Sequence, residues 1–319
     1  MNRRNFSKTL AIGSAGGSLP AVTTSALNVL SRPIRLGVIA DLHVDLIPDG
    51  SERLDSFLDE MTKMKPDALI QMGDFAFAED SNQKIVDRFN KAHETTLHVI
   101  GNHDTDGGLS TEQVLDSWGM KDPYYHHVLE GLHLVVLNAN EKGSKNHKGG
   151  YPQFIGKAQV AWLENMLNSV EGPVVFISHQ PIAGPYAIDN AEEVQKILSK
   201  YSDKVVIAMN GHTHIDLLTE IGGVQYLHIN SASYHWLGSK YAHESYPSEV
   251  HAKHSALKYT SPYREALFTA LTFDPKNRKI IVERKATQWV GESPKELGLK
   301  REPEGSVIPE IRGRVIGGK

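Results

Sequence analysis

The chain has 319 residues, of which 40% are hydrophobic and 23% are charged, and it contains no cysteine. This ordinary globular composition excludes a wholly disordered, collagen-like or coiled-coil chain, and the lack of cysteine excludes disulfides, thiolate-bound metals and a thiol nucleophile. The 34 basic residues are outnumbered by 38 acidic ones, and the resulting net charge of −4 argues against binding to a nucleic-acid backbone.

The N-terminal residues have the pattern of an export signal. Three basic residues in the first eight precede a weakly apolar stretch of small residues, and Thr24-Ser25-Ala26 offers a cleavage site. The run Arg3-Arg4-Asn5-Phe6-Ser7-Lys8 resembles the twin-arginine signal. We therefore expect residues 1–26 to be a signal peptide, the twin-arginine export machinery to be a partner, and the location to be periplasmic or secreted. No run of about 18 apolar residues occurs, so no stable membrane anchor is expected.

Beyond Pro33, short apolar runs alternate with amphipathic stretches. Strands are predicted at residues 34–40, 68–72 and 97–100, and helices at residues 50–64 and 82–92. In the first helix, apolar residues recur at helical spacing, and Pro66 follows its end.

The second half is richer in strands. A hairpin is predicted over 125–137, a helix over 158–167, strands at 174–177, 205–209, 217–221 and 224–229, and a closing hairpin over 266–282. The early alternation of strand and helix predicts an α/β fold with mixed sheets. Residues 286–319 are rich in glycine, proline and charge and are expected to form a C-terminal tail.

Five short polar motifs each follow a predicted strand. In chain order they are Asp41-Leu42-His43, Gly73-Asp74, Gly101-Asn102-His103-Asp104, Ser178-His179-Gln180-Pro181 and Asn210-Gly211-His212-Thr213-His214. Loops at the ends of strands are where α/β proteins place ligands. The motifs are therefore expected to meet at one site.

The side chains of these motifs are metal-ligand types. Asp41 and His43, two residues apart on an extended segment, point to the same face and can share one ion. The full candidate set is Asp41, His43, Asp74, Asn102, His179, His212 and His214. One ion rarely takes seven such ligands, whereas two ions about 3.5–4 Å apart that share a carboxylate accommodate them. The sequence therefore predicts a binuclear metal centre.

The order of the motifs resembles that of the bacterial calcineurin-like metallophosphoesterases, over roughly residues 33–285. The resemblance implies an α/β fold, a four-layer αββα sandwich of two mixed β-sheets flanked by helices, with two metals at one end. It implies that one ion is held by Asp41, His43, Asp74 and His214. The other ion would be held by Asp74, Asn102, His179 and His212, with Asp74 bridging. The oxygen and nitrogen ligands suit Mn, Fe or Zn.

The resemblance also implies a reaction, which is hydrolysis of a phosphate ester by in-line attack of a metal-bridging hydroxide. In this scheme His103 faces the substrate, where it stabilises developing charge or protonates the leaving group. Asp104 is a second catalytic candidate, because it could orient His103 or a neighbouring turn.

The motifs also narrow the substrate. Protein phosphatases of the family usually carry an aspartate that supports the catalytic histidine, and Phe77 replaces it here, which argues against a Ser/Thr protein phosphatase. The third and fifth motifs are similar to the bacterial phosphodiesterase branch, which favours a small-molecule phosphodiester over a monoester. That branch often has His-His-Pro-Pro where this chain has Ser178-His179-Gln180-Pro181, so cyclic nucleotides are not assigned.

Tyr234, His235 and Trp236 follow the last metal motif and are candidate substrate contacts. They lie in a stretch rich in tyrosine and histidine, residues 231–264, which could equally be a structural insertion.

Two other functions stay open. One is a non-catalytic scaffold that keeps the phosphoesterase fold for interaction. The other is a different metallohydrolase, because the run from His212 to Asp216 resembles the start of the metallo-β-lactamase motif His-x-His-x-Asp-His, although Leu217 follows instead of histidine.

Overall fold

A computed structural model describes residues 24–300 and 303–318. Most of the predicted signal peptide, residues 1–23, therefore lies outside the described residues. The described part of the chain contains strands, α-helices and short 3₁₀ helices. The strands are β1 (Ile34–Ile39), β2 (Ala68–Gln71), β3 (Thr96–His98), β4 (Tyr125–Leu129), β5 (Leu132–Leu137), β6 (Val174–Ser178), β7 (Val205–Asn210), β8 (Leu217–Ile221), β9 (Val224–His228), β10 (Tyr234–Trp236), β11 (Thr260–Pro262), β12 (Thr269–Asp274), β13 (Lys279–Val282), β14 (Lys285–Ala286), β15 (Glu310–Ile311) and β16 (Arg314–Gly317).

The helices lie mostly in the first two thirds of the chain. The α-helices are α1 (Gly50–Met64), α2 (Gln83–Lys91), α3 (Thr111–Trp118), α4 (Lys157–Ser169), α5 (Ala191–Lys200) and α6 (Ser248–Lys253), and the 3₁₀ helices are Thr24–Val29, Asp80–Asn82, His103–Gly108, Ser239–Tyr241 and Ser255–Tyr259. Among the described residues, no helix combines the length and apolar character needed to cross a bilayer.

Two six-stranded sheets form the centre of the molecule. The first has the order β16-β13-β12-β1-β2-β3, and the second has the order β4-β5-β6-β7-β9-β8. Strands β1, β2 and β3 run parallel, as do β5, β6, β7 and β9. Antiparallel pairing adds β12, β13 and β16 to the first sheet and β4 and β8 to the second. Because the parallel strands of each sheet end at one edge, the loops that follow them are brought together.

The apolar residues divide into three layers of core. Between the sheets, inward residues such as Leu36 of β1 and Ile177 of β6 form one buried cluster. On the outer face of the first sheet, α1, α2 and α3 bury residues such as Phe57 and Phe89. On the outer face of the second, α4 and α5 bury residues such as Leu163. The prediction of two mixed sheets flanked by helices is therefore confirmed.

The two ends of the described chain are built into the sandwich. Leu27 is fully buried in the core between the sheets, directly after the predicted cleavage point at Ala26. In the segment expected to form a C-terminal tail, β16 pairs with β13 at the edge of the first sheet, and β15 pairs with β14. Residues 303–318 thus extend the domain beyond the predicted boundary at residue 285.

Candidate metal centre

The five motifs lie where strands of both sheets end. Asp41 and His43 follow β1, Asp74 follows β2, and Asn102 follows β3, all in the first sheet. His179 follows β6, and the pair His212 and His214 follows β7, in the second sheet. The site therefore lies at one end of the interface between the two sheets.

One group of ligand atoms comes from both sheets. Nε2 of His214 lies 3.2 Å from Oδ1 of Asp41 and 3.3 Å from Nε2 of His43. All three residues are at least nine-tenths buried, and their ligand atoms are close enough to hold one ion.

A second group gathers around His179. Its Nε2 lies 3.1 Å from Oδ2 of Asp74, 3.2 Å from Oδ1 of Asn102 and 3.3 Å from Nδ1 of His212. Asp74, His179 and His212 are close enough to hold a second ion.

Asp74 connects the two groups. The same Oδ2 atom that faces His179 also lies 3.6 Å from Nε2 of His43 in the first group. The other oxygen, Oδ1, accepts a hydrogen bond of 2.8 Å from the backbone N–H of His103. Asp74 therefore has the position of the shared carboxylate that the motifs predict.

Backbone carbonyls prepare two of the imidazoles for metal binding. His179 Nδ1 lies 2.8 Å from the Met72 carbonyl, and His214 Nδ1 lies 2.8 Å from the Tyr234 carbonyl. A carbonyl can only accept, so both Nδ1 atoms carry a proton and both Nε2 atoms face the ligand groups. Imidazole nitrogens and carboxylate oxygens that converge in this way fit a bound cation.

The electrostatics of the site also favour a bound cation. Burial lowers the pKa of His43 well below its usual value and that of His212 to about 3, so both rings are neutral. At His179, burial is outweighed by the carboxylates of Asp74 and Asp41, which raise its pKa to about 9. Although burial opposes it, the nearby histidines hold the pKa of Asp74 well below its usual value. The centre thus favours a positive charge between its carboxylates.

The backbone at the ligands is strained. Five of the seven have positive φ between 49° and 64°, a region that side chains with a Cβ avoid: Asp41, His43, Asp74, His212 and His214. Each such residue costs about 1–2 kcal/mol. Strain of this kind concentrates at functional sites, where the surrounding structure enforces it.

Glycines beside the ligands allow the motifs to touch. A Cβ on Gly101 would lie 2.2 Å from Oδ1 of Asp74, and one on Gly211 would lie 2.6 Å from Oδ2 of Asp41. Both distances are too short for real atoms, so a side chain at either position would displace a ligand carboxylate.

His103 lies beside the first ligand group, with its ring edge-on to that of His43 at 5.4 Å between centroids. Its Nδ1 is 2.7 Å from Oδ2 of Asp106 and 3.1 Å from the hydroxyl of Tyr151. The Tyr151 hydroxyl also lies 2.8 Å from Oδ1 of Asp106. Because a carboxylate accepts, Nδ1 donates its proton and Nε2 is left toward the site. Sequence reasoning missed Asp106 and Tyr151, although Asp106 is three residues after His103 in a tight turn, where side chains align.

The contacts of Asp104 differ from those of its neighbour His103. Its carboxylate accepts hydrogen bonds from the backbone N–H groups of Gly101 at 2.6 Å and of Asp74 and Phe75 at 2.9 Å, and it is 1% exposed. Burial and then the charge of Asp74 raise its pKa well above the usual value. Asp104 therefore joins the second motif to the third, and these are the contacts of a positioning residue.

The three candidate substrate contacts lie in different environments. His235 is buried behind the site, and its Nδ1 donates to the carbonyl of His214 at 2.8 Å. The ring of Tyr234 packs on His43 and His214, at 5.0 and 4.8 Å between centroids. Trp236 is 42% exposed. Of the three, Tyr234 and Trp236 line the open space above the ligands and His235 does not.

Two clefts open onto the metal ligands and share five lining residues: His43, Asp74, His103, Tyr234 and Trp236. The histidine cleft, of about 200 Å³, is completed by Tyr186, His212, Thr213 and His214. The apolar cleft, of about 280 Å³, is completed by Asp45, Leu46, Ala76, Phe77, Asp104, Asp106 and Ala256. No lysine or arginine is among the described residues that line either cleft.

Asp216, on which the resemblance to the metallo-β-lactamase motif depends, binds two arginines. It is fully buried, and its carboxylate accepts from Nη1 of Arg314 at 2.8 Å and Nη1 of Arg312 at 3.2 Å. The ligand groups formed by the described residues do not include it.

The sequence profile of the calcineurin-like phosphoesterases matches residues 34–216, just over half of the chain. The chain therefore belongs to the calcineurin-like phosphoesterase family. The matched range contains all seven candidate ligands and ends two residues beyond the last of them. Curated protein sequences include no significant match.

Solved structures share the fold at low identity. A dimetal phosphatase from Danio rerio is 13% identical with a TM-score of 0.58, over 90% of this chain and 99% of the other. GAP50, described as the anchor in the inner membrane complex of Plasmodium, is 13% identical with a TM-score of 0.55, over 91% of this chain and 90% of the other. At this identity the similarity establishes the fold alone.

Proposed function

We propose that the protein is an exported, metal-dependent phosphodiesterase of small molecules. The observation that carries the hydrolytic part is the convergence of seven candidate ligands, six buried and His212 half-buried, into two groups joined by Asp74. Two Mn, Fe or Zn ions, when bound there, would polarise the phosphoryl oxygens and lower the pKa of an attacking water. The chain's own residues orient the ester, and His103 supports charge or supplies a proton at the leaving oxygen.

The charge of the clefts supports a diester over a monoester. A phosphomonoester carries up to two negative charges beside its single organic group, whereas a diester carries one. Neither cleft presents a lysine or arginine among its described residues, and Asp45 and Asp106 add negative charge. A singly charged ester fits this environment better.

Hydrolysis is tested with the purified chain loaded with Mn²⁺, on bis-p-nitrophenyl phosphate and p-nitrophenyl phosphate. We expect the diester to be cleaved faster and Asp74→Asn to lower the rate at least about 100-fold, together with a loss of bound metal. Asp87→Asn, an exposed acid on α2, is the matched control and should retain both. A preference for the monoester would contradict the diester assignment.

A scaffold role is the second candidate, because one fold relative, GAP50, is described as an anchor. Metal analysis separates the two. Two bound ions per chain together with diester cleavage would support the enzyme. Failure to bind metal or to cleave either ester would favour the scaffold.

The export part of the proposal depends on the N-terminal pattern. We expect replacement of Arg3 and Arg4 by lysine to hold the protein in the cytoplasm of a host with a twin-arginine system, because the paired arginines are read by the export receptor. Cell fractionation measures this, with Lys8→Arg as control. Unchanged export of the double variant would contradict it.

A further inference from the structure

The two clefts differ in chemistry although they meet at the same ligands. The histidine cleft is walled by polar rings, including Tyr186, which is 55% exposed. The apolar cleft is walled by Leu46, Ala76, Phe77 and Ala256. A phosphate seated on the shared residues would have one cleft on each side of it.

The acids of the apolar cleft already have partners within the protein. Asp104 accepts three backbone hydrogen bonds, and Asp106 accepts from His103 and Tyr151. Asp45 accepts from the Phe77 N–H at 2.8 Å and from Nδ2 of Asn82 at 2.7 Å. The carboxylates of Asp45 and Asp106 contribute negative charge to the cleft, which would repel an anionic group.

The size of the apolar cleft suits a ring or a short alkyl chain. A cavity of roughly 150 Å³ with apolar walls is sufficient for benzene, and the apolar cleft measures about 280 Å³. A phosphomonoester, with a single organic group, would fill one cleft and leave the other to water.

We propose that the apolar cleft binds the second organic arm of a phosphodiester, and that this arm is uncharged and apolar. The proposal rests on the proposed function and narrows its substrate class. The proposal excludes polyanionic substrates such as nucleic-acid strands. The phosphate next to the reacting one would enter the apolar cleft, which no lysine or arginine lines among the described residues.

Binding of stable analogues tests the cleft without requiring turnover. Dimethylphosphinate and methyl(phenyl)phosphinate are monoanions with two carbon arms and no ester bond. Methyl(4-carboxyphenyl)phosphinate has the same two-armed phosphinate group and a second negative charge on its ring. We expect calorimetry on the Mn²⁺-loaded full chain to give about tenfold tighter binding of the phenyl compound than of the dimethyl compound. The carboxyphenyl compound should lose that gain.

Matched variants assign the arm to one cleft. Ala256→Gln fills the apolar cleft with uncharged bulk and should remove the tenfold ratio between phenyl and dimethyl compounds. Tyr186→Ser, in the histidine cleft, should keep that ratio. Equal binding of both compounds to the unaltered chain, or a ratio lost in Tyr186→Ser and kept in Ala256→Gln, would overturn the proposal.

Parallel hydrolysis of methyl and phenyl p-nitrophenyl phosphate separates this proposal from the proposed function. A phosphinate ratio that Ala256→Gln removes, with neither diester cleaved, would uphold the cleft and contradict the enzyme. Cleavage of both diesters at equal kcat/KM, with equal phosphinate binding, would uphold the enzyme and contradict the cleft.

Discussion

At His103, hydrogen bonds to Nδ1 decide which ring nitrogen faces the clefts above the candidate ligands. Asp106 accepts from Nδ1 at 2.7 Å, and the hydroxyl of Tyr151 closes the group from the other side. Burial, reinforced by Asp106, raises the pKa of Tyr151 above its usual value, so the hydroxyl stays a donor to the carboxylate. Asp106 and Tyr151 thus fix the orientation of the His103 ring.

We expect Asp106→Ala to lower kcat about tenfold or more on a diester with an alkyl leaving group, because His103 would lose its orientation. The loss should be smaller on a p-nitrophenyl ester, since p-nitrophenolate departs without a proton. Tyr151→Phe should have the same pattern with a smaller effect. Steady-state rates on both esters measure it.

Metal content and ¹⁵N NMR of the His103 ring separate this role from a general loss of structure. Bound metal should be unchanged in Asp106→Ala, while the ring signals should lose the Nδ1–H tautomer. Asp116→Ala, an exposed acid on α3, should alter neither measurement. Equal losses on the two esters would argue against a role at the leaving group.

The convergence of the seven candidate ligands was predictable, whereas the hydrogen bonds of His103 to Asp106 and Tyr151 were not. The ligands follow strands, and strand ends converge in any α/β sandwich, so motif order was sufficient. Tyr151 lies in an irregular segment between β5 and α4, and only tertiary folding brings it over Asp106. His235 was misjudged as a substrate contact because composition carries no information on whether a side chain faces the cleft or the core.

Among the elements, β16 connects the C-terminal residues to the loop of the last metal motif. Arg314 on β16 and nearby Arg312 both bind the carboxylate of Asp216, two residues after the ligand His214. The backbone N–H of Asp216 donates to the carbonyl of Ser306 at 2.9 Å. The C-terminal segment therefore holds the loop that carries His212 and His214.

We expect Arg314→Met to lower the free energy of unfolding by about 2–3 kcal/mol. Full loss of partners from a buried charge costs about 3–5 kcal/mol, and Arg312 remains to compensate in part. Urea denaturation of the metal-free protein measures this. Metal affinity should also fall, about tenfold, because the ligand loop is less well held.

Arg312→Met is the matched control. Its side chain is 44% exposed, against 14% for Arg314, so solvent screens its interaction with Asp216 and the loss should be smaller. Equal losses in both variants would show that burial does not decide the strength of these ion pairs.

Long elements were predictable from sequence and short ones were not. The bounds 50–64 were predicted for α1 and are found, because its apolar residues recur over four turns. The four residues of β16 are too few for a pattern, and Val315 is exposed beside buried Ile316. Helix α3 has only eight residues, but its start carries a capping box of Ser110 and Gln113 that could have been recognised.

For the whole molecule, buried neutral histidine makes stability depend on pH. His98, between the sheet and α2, accepts from Nε2 of Gln71 at 3.0 Å and donates through Nε2 to Asn90 at 2.6 Å. Acceptance at Nδ1 requires the neutral ring, and burial lowers its pKa from 6.5 to about 3. The unfolded chain takes up this proton below pH 6.5 while the folded chain does not, so acid favours unfolding between pH 6.5 and about 3.

We expect this single ring to remove about 1.4 kcal/mol of stability between pH 7.5 and 5.5. Other buried histidines titrate in the same range, so His98→Gln isolates the contribution. The variant will be less stable at both pH values, because glutamine does not fill the space of the ring. Between pH 7.5 and 5.5, however, its stability should fall by about 1.4 kcal/mol less than that of the unaltered chain. Urea midpoints at the two pH values measure both changes. Parallel losses in the two proteins would mean that the folded state binds a proton at His98, in conflict with the hydrogen bond that its Nδ1 accepts from Gln71.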